Sequence, residues 1–284
     1  MRAYVPEYDL VAPSGLNEAL KLVADQARPM AGGTDLMVLF EAGKLPYRKL
    51  VSLWRIPELR GIATSETHVT LGALTTYTEI QESAILQHEF PLLVKAASWT
   101  GAVATQNRGT LAGNIANGSP AADSPPALLV YDAEIELLSA SGSRWTPYHG
   151  FHTGYKTNLM RPDEIIGHIR LPRTTSGCAQ YLRKVGTRQA QAISKVALAG
   201  LVKIKDGTVE RIRIAVASVS PTPIRCTDTE SLLVGQVLDL LEIDLAKAMI
   251  AAEVVPITDI RSTEEYRRRV TVNLLEEVLQ GLLA

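Results

Sequence analysis

The sequence predicts an α+β protein, with an N-terminal α/β region over residues 1–176 and a smaller antiparallel sheet-plus-helices region over 177–284. Two patterns carry this expectation. Short apolar strand-like runs alternate with segments of helical period up to Leu53, as in a βαβ unit. Beyond Gly177, a long alternating stretch turns at Asp206-Gly207 and runs into helical segments.

In chain order, "SGLNEALKLVAD" places Leu16, Leu20 and Val23 on one helical face, with Ser14 or Asn17 as the cap. "RPMAGG" reads as a short strand and a glycine turn. "TDLMVLFEAG" reads as a helix capped by Thr34, with Asp35 in its first turn and Gly43 at its exit. "KLVSL" is a buried strand, and "LRGIATSETHVTLGALTT" is two strands around a polar turn. "YTEIQESAILQHEFPLLVKAASWTG" is helical with a break before Pro91. "TLAGNIANGSPAADSPPALL" reads as a small-residue loop leading into a short helix at "PPALLVYDA". A hairpin at "EIELLSASGSRWTPY" and a strand at "DEIIGHIRLP" follow. Past residue 177, "AQYLRKVGTRQAQAISKVALAGLVKIKDGTVERIRIAVASVSPTP" supplies several antiparallel strands. "DTESLLVG", "LEIDLAKAMIAAEVV" and "STEEYRRRVTVNLLEEVLQGLL" supply helices.

Lys+Arg 29 against Asp+Glu 30 leaves a net charge of −1, which gives no electrostatic reason to expect nucleic acid. With only Cys178 and Cys226, far apart, the chain lacks the thiolates for its own zinc or iron–sulfur site, and a disulfide scaffold is not expected. No run of about 18 apolar residues occurs, so no integral membrane segment is expected, and a cytoplasmic location fits.

Two stretches carry the chemistry. "AGGTDL" and "RGTLAGN" each join a glycine turn to a candidate helix start, where backbone N–H groups can face an anion. Neither holds the lysine of a P-loop, and the GxGxxG fingerprint is absent. Amides alone can anchor a diphosphate without transferring it, which points to a bound nucleotide cofactor. Asp123 or Ser124 is placed to cap the helix that Pro125 begins.

Six segments occur in order: "MAGGTDL", "NRGTLAGNIANGSPAADSPPALL", "GFHTGYKTNLMRPDEIIGHIRLP", "YLRKVGTRQAQAISKVALA", "SVSPTPIR" and "DIRSTEEYRRR". Together they resemble the FAD-binding medium subunit of the molybdenum hydroxylases, the group of xanthine dehydrogenase and carbon monoxide dehydrogenase. The resemblance implies a PCMH-type (vanillyl-alcohol-oxidase-like) FAD domain of two α/β subdomains, then the family's C-terminal flavoprotein domain. It implies FAD contacts from Met30, Ala31, Gly32, Gly33, Thr34 and Asp35, and from Thr110, Leu111, Ala112, Gly113 and Asn114. It adds Asp123, on a ribose hydroxyl or a helix cap, Ile166 as an apolar contact, and Lys184 near the flavin. The implied partners are a large molybdopterin-binding subunit and a small [2Fe–2S] subunit, in a dimer of heterotrimers. Electrons would pass through FAD to NAD⁺, a quinone or oxygen. Two departures stand out: Ala112 replaces the first glycine of the family's Gly-Gly-Asn, and "ATQN" replaces its Gln-Ile-Arg-Asn.

Two other readings fit a nucleotide site: a self-contained flavin oxidase or reductase of this fold, and a non-catalytic nucleotide-binding scaffold. The remaining constellations have plainer explanations. His149 and His152 have no third ligand in view, the Arg267–Arg269 run reads as a solvated, paired helix face, and the three tryptophans read as core or interface. Tyr155 and Lys156 occupy a turn that could approach the flavin ring.

Overall fold

The computed structural model describes residues 7–188 and 191–283. The chain opens with β1 (Asp9–Val11), α1 (Leu16–Ala24), β2 (Arg28–Met30), α2 (Leu36–Glu41) and β3 (Lys49–Ser52). The strands form a three-stranded parallel sheet in the order β1-β3-β2, as the βαβ pattern requires. Ala19, Leu20 and Val23 bury one face of α1. Its cap is Gly15, with no side-chain bond to the helix; neither Ser14 nor Asn17 serves. Instead, the Glu18 carboxylate accepts from the Ser14 N–H at 3.3 Å. Thr34 does not cap α2 either. Asp35 holds that position without a side-chain bond to the helix, because its carboxylate is directed elsewhere. Gly43 ends the helix at φ +66 as expected, and the Lys44 N–H returns to the Leu39 carbonyl at 2.8 Å.

Next come β4 (Ile62–Thr64), β5 (His68–Gly72), α3 (Tyr77–Glu82), α4 (Ala84–Glu89), α5 (Pro91–Trp99), α6 (Val103–Gln106), α7 (Leu111–Asn117) and α8 (Pro125–Val130). The expected break before Pro91 falls at Phe90, and a second, unexpected break falls at Ser83. A capping box of Thr76 and Glu79 starts α3. Then β6 (Glu134–Ser139), β7 (Gly142–Pro147), β8 (His152–Gly154), β9 (Thr157–Asn158) and β10 (Ile165–Pro172) follow. A five-stranded antiparallel sheet runs in the order β4-β5-β10-β6-β7, and β8 pairs with β9 as a separate hairpin.

The small-residue stretch from Thr110 is not the loop its composition suggests. Thr110 caps α7, Leu111 and Ile115 bury one face at i, i+4, and Gly118 closes the helix at φ +63. A four-residue apolar spacing was overridden by the density of glycine, alanine and asparagine around it.

The last part contains β11 (Ala179–Val185), β12 (Val196–Lys205), β13 (Thr208–Ala217), β14 (Ile224–Arg225), α9 (Thr227–Leu233), α10 (Leu240–Glu253) and α11 (Glu264–Gln280). Its four strands are antiparallel in the order β11-β12-β13-β14. The β12–β13 turn has positive φ at both Asp206 (+51) and Gly207 (+78). Val196 to Val202 is buried throughout, because this sheet is covered on both faces. Ala199 and Leu201 join the core shared with α8, whereas Leu198 and Ile214 join a second core under α9, α10 and α11.

Candidate FAD site

The first glycine bend leaves β2 and enters α2; the second leaves α6 and enters α7. They meet directly. A Cβ on Gly32 would stand 1.6 Å from the Arg108 carbonyl oxygen, so only glycine allows the two backbones this approach. Asn117 Nδ2, at the far end of α7, donates to Asp35 Oδ1 at 3.2 Å. The Arg108 guanidinium lies 3.8 Å from the Trp54 ring centroid, opposite the role of a cleft cation.

A cleft of about 810 Å³ opens where the bends meet. Ala31, Gly32, Gly33, Thr34 and Asp35 line it from one side, Thr110, Ala112, Gly113 and Asn114 from its floor, and Ile166 from β10. Met30 and Leu111 are not part of this lining; Leu111 is fully buried behind it. Asp123 and Lys184 also lie outside the lining, and they bind each other.

The bends differ in how their donors are engaged. In the second, the Leu111 N–H reaches the Thr75 carbonyl at 3.1 Å, Gly113 reaches Thr110 Oγ1 at 3.1 Å, and Asn114 reaches the Thr110 carbonyl at 3.0 Å. In the first, with Gly33 at φ +76, the N–H groups of Gly32, Gly33, Thr34 and Asp35 have no acceptor among the described residues. Because α2 has 6 residues and α7 has 7, the individual amides matter more than any helix dipole.

Among the described residues, Asn114 Oδ1 is buried without a donor, and Tyr77, whose hydroxyl likewise has no partner there, contributes to the cleft wall. Burial raises the Tyr77 pKa far above its ordinary value, so the phenol stays neutral. Glu164 also lines the cleft, but Arg144 grips it through Nε at 2.7 Å and Nη2 at 2.9 Å. These bonds hold its carboxyl below the usual carboxylate range. Open amides, an orphaned acceptor and apolar walls such as Leu53, Leu74 and Ile166 fit an anionic, hydroxyl-bearing, partly aromatic ligand.

Behind the cleft, Lys184 Nζ on β11 donates to Asp123 Oδ2 at 2.7 Å, and Ser194 Oγ donates to Oδ1 at 2.7 Å. Burial raises the Asp123 pKa, while the Lys184 ammonium and its hydrogen bond oppose the rise. Both carboxylate oxygens are thus engaged by the C-terminal sheet region. Ser124 occupies the cap position of α8 without a side-chain bond, so Asp123 does not act as a helix cap. Tyr131 Oη to Gln180 Oε1 at 2.6 Å and Arg225 Nη1 to Asp132 Oδ1 at 2.7 Å extend the same seam.

Residues 6–174 match the family described as the FAD binding domain in molybdopterin dehydrogenase, and residues 181–282 match the CO dehydrogenase flavoprotein C-terminal domain. The chain belongs to the molybdopterin dehydrogenase flavoprotein family. It is 32% identical over 275 residues to the xanthine dehydrogenase FAD-binding subunit of Escherichia coli O157:H7, covering 95% of this chain and 94% of that one. To the glyceraldehyde dehydrogenase medium chain of Sulfolobus acidocaldarius it is 33% identical over 270 residues, with 94% and 95% covered. The solved carbon monoxide dehydrogenase from Hydrogenophaga pseudoflava superimposes with a TM-score of 0.92 at 28% identity, covering 96% of each chain. The flavoprotein family membership bears out the resemblance, the PCMH-type fold, FAD as cofactor and the oxidoreductase class.

Two expectations outside the cleft need correction or completion. Arg267 is not on a solvated face: it is 3% exposed, donates to the Lys195 and Ser218 carbonyls, and pairs with Asp259 at 2.7 Å. Arg268 ties the Ala251 and Val254 carbonyls to α11. His152 pairs through Nε2 with the Tyr148 hydroxyl at 3.2 Å, and burial lowers its pKa. Of the other lining residues, the sequence signals only Lys156, in its turn with Tyr155; Tyr77, Asn117 and the wall from Thr157 to Pro162 carry no local signal of a site.

Proposed function

We propose that this chain works as the medium subunit of a molybdenum-containing hydroxylase, in the cytoplasm, and that its FAD is an electron relay between partner subunits and a terminal acceptor. When bound, FAD supplies the redox chemistry, with electrons arriving from [2Fe–2S] clusters of a small subunit and leaving to NAD⁺, a quinone or oxygen. The large subunit carries molybdopterin and oxidises the substrate, and two such heterotrimers form the complex. The chain's own residues bind and orient. The first bend holds the diphosphate with its free amides, the second gives that bend a fixed surface, and Ile166 contributes apolar contact. Asp123 and Lys184 close the seam behind the flavin, with Ser194 holding the second carboxylate oxygen. The boundary between the two functional regions is placed at residues 176 and 177.

The observation that supports this reading is the direct backbone contact at Gly32, which assembles both bends at one cleft in a chain matching the flavoprotein family along its length. The test is co-purification of the tagged chain from its native host, with flavin, iron and molybdenum measured. FAD on this chain, and metals only in fractions containing two further subunits, are the expected results. A flavin-free chain that takes up no FAD would refute the proposal.

A further inference from the structure

One wall of the cleft carries a lysine with an unusual backbone. Lys156 lies between β8 and β9 at φ +54, a left-handed conformation that costs a non-glycine residue about 1 kcal/mol or more. The turn is pressed onto the end of α7: a Cβ on Gly118 would stand 3.2 Å from Lys156 Cα. The residue before Gly118 is Asn117, whose side chain bonds Asp35 of the first bend. This chain of contacts ties the Lys156 turn to the first bend, and Lys156 lines the same cleft as Gly32 to Asp35.

The other charges on the cleft are accounted for. Arg28 stacks over Tyr47 at 4.8 Å, Arg161 lies 3.9 Å from Glu164, Glu164 is gripped by Arg144, and Asp35 accepts from Asn117. Lys156 alone among these cations has no ion-pair, hydrogen-bond or ring partner among the described residues. A diphosphate brings two negative charges into a cleft whose amides supply only partial positive charge.

We infer that Lys156 is the counter-ion of the cofactor's diphosphate, held at the first bend by the strained turn against Gly118. This assignment rests on the FAD-binding reading above, and it places the lysine at the phosphates instead of the flavin ring. The ammonium acts by charge through solvent-accessible space, so its contribution falls as salt rises.

The test is fluorescence titration of the full-length apoprotein with FAD and with riboflavin, which has no phosphate, at low and high salt. Lys156→Gln should weaken FAD binding about twofold to fivefold at low salt, an effect of the size expected for one exposed charge pair. It should flatten the salt dependence and leave riboflavin binding unchanged, and Lys156→Arg should restore both FAD affinity and salt response. An FAD affinity and salt slope that Lys156→Gln leaves untouched would overturn the assignment alone. An equal loss for riboflavin would also overturn it, by showing a structural role. Wild-type protein that binds no FAD would overturn the assignment together with the function on which it rests.

Discussion

The two glycine bends look alike in sequence and differ in how the fold uses them. The bend at Gly32–Asp35 leads into α2, which buries none of its residues, and it leaves four consecutive amides without acceptors among the described residues. The bend at Gly109–Asn114 leads into a helix with Leu111, Ala112 and Ile115 buried, and its Leu111, Gly113 and Asn114 amides are engaged by Thr75 and Thr110. One bend keeps its amides free at the cleft, and the other has amides engaged within the fold while its residues line the same cleft. A glycine-rich turn before a helix therefore does not specify which of these jobs it performs; the partners of its N–H groups do.

Substitutions can break this asymmetry, and Gly32→Ala should do so most severely. Its methyl would overlap the Arg108 carbonyl, and since the backbone fixes the position of both groups no rotamer change relieves the clash. A loss of about 3 kcal/mol in urea unfolding, with flavin content near zero, is expected. Gly33→Ala should cost about 1–2 kcal/mol through the left-handed conformation alone, because the nearest atom, Met37 Cγ, is 3.6 Å from the new methyl. FAD affinity should fall with it, as the bend rotates its amides.

Changes in the second bend should be milder. Thr110→Ala removes the cap of α7 and should cost about 1 kcal/mol in the same unfolding assay while FAD binding persists. Gly113→Ala should leave stability within about 0.5 kcal/mol, since a gain in helix propensity offsets a 2.9 Å contact with the rotatable Thr110 Oγ1. If Gly113→Ala lowered FAD affinity more than Gly33→Ala, the roles assigned to the two bends would have to be exchanged.

The sequence made the fold class legible because its periodicities are strong where the elements are long. The alternation through β12 and β13, the Asp206-Gly207 turn and the βαβ opening all match the observed sheets. Caps were less legible: Thr34 and Asn17 are suitable residue types, but Asp35 and Gly15 hold the positions. The helix α7 was hidden because its large apolar residues are only Leu111 and Ile115, and neighbouring small residues resemble a loop. Within the site, local sequence could mark the bends, but not that Arg108 would dictate glycine at position 32 or that Asn117 would reach Asp35. Those are long-range contacts with no periodic signature. Arg267 misled for the same reason: its acidic neighbours in sequence suggest a paired surface, while its actual partners are distant carbonyls and Asp259.

Amide hydrogen exchange across the two bends, with and without FAD, tests the account most directly. Strong FAD-dependent protection at Gly32 to Asp35, with smaller changes at Leu111, Gly113 and Asn114 because those amides are already bonded, is the predicted result. Protection confined to Leu111–Asn114, or absent from both bends in a protein that has taken up FAD, would contradict it.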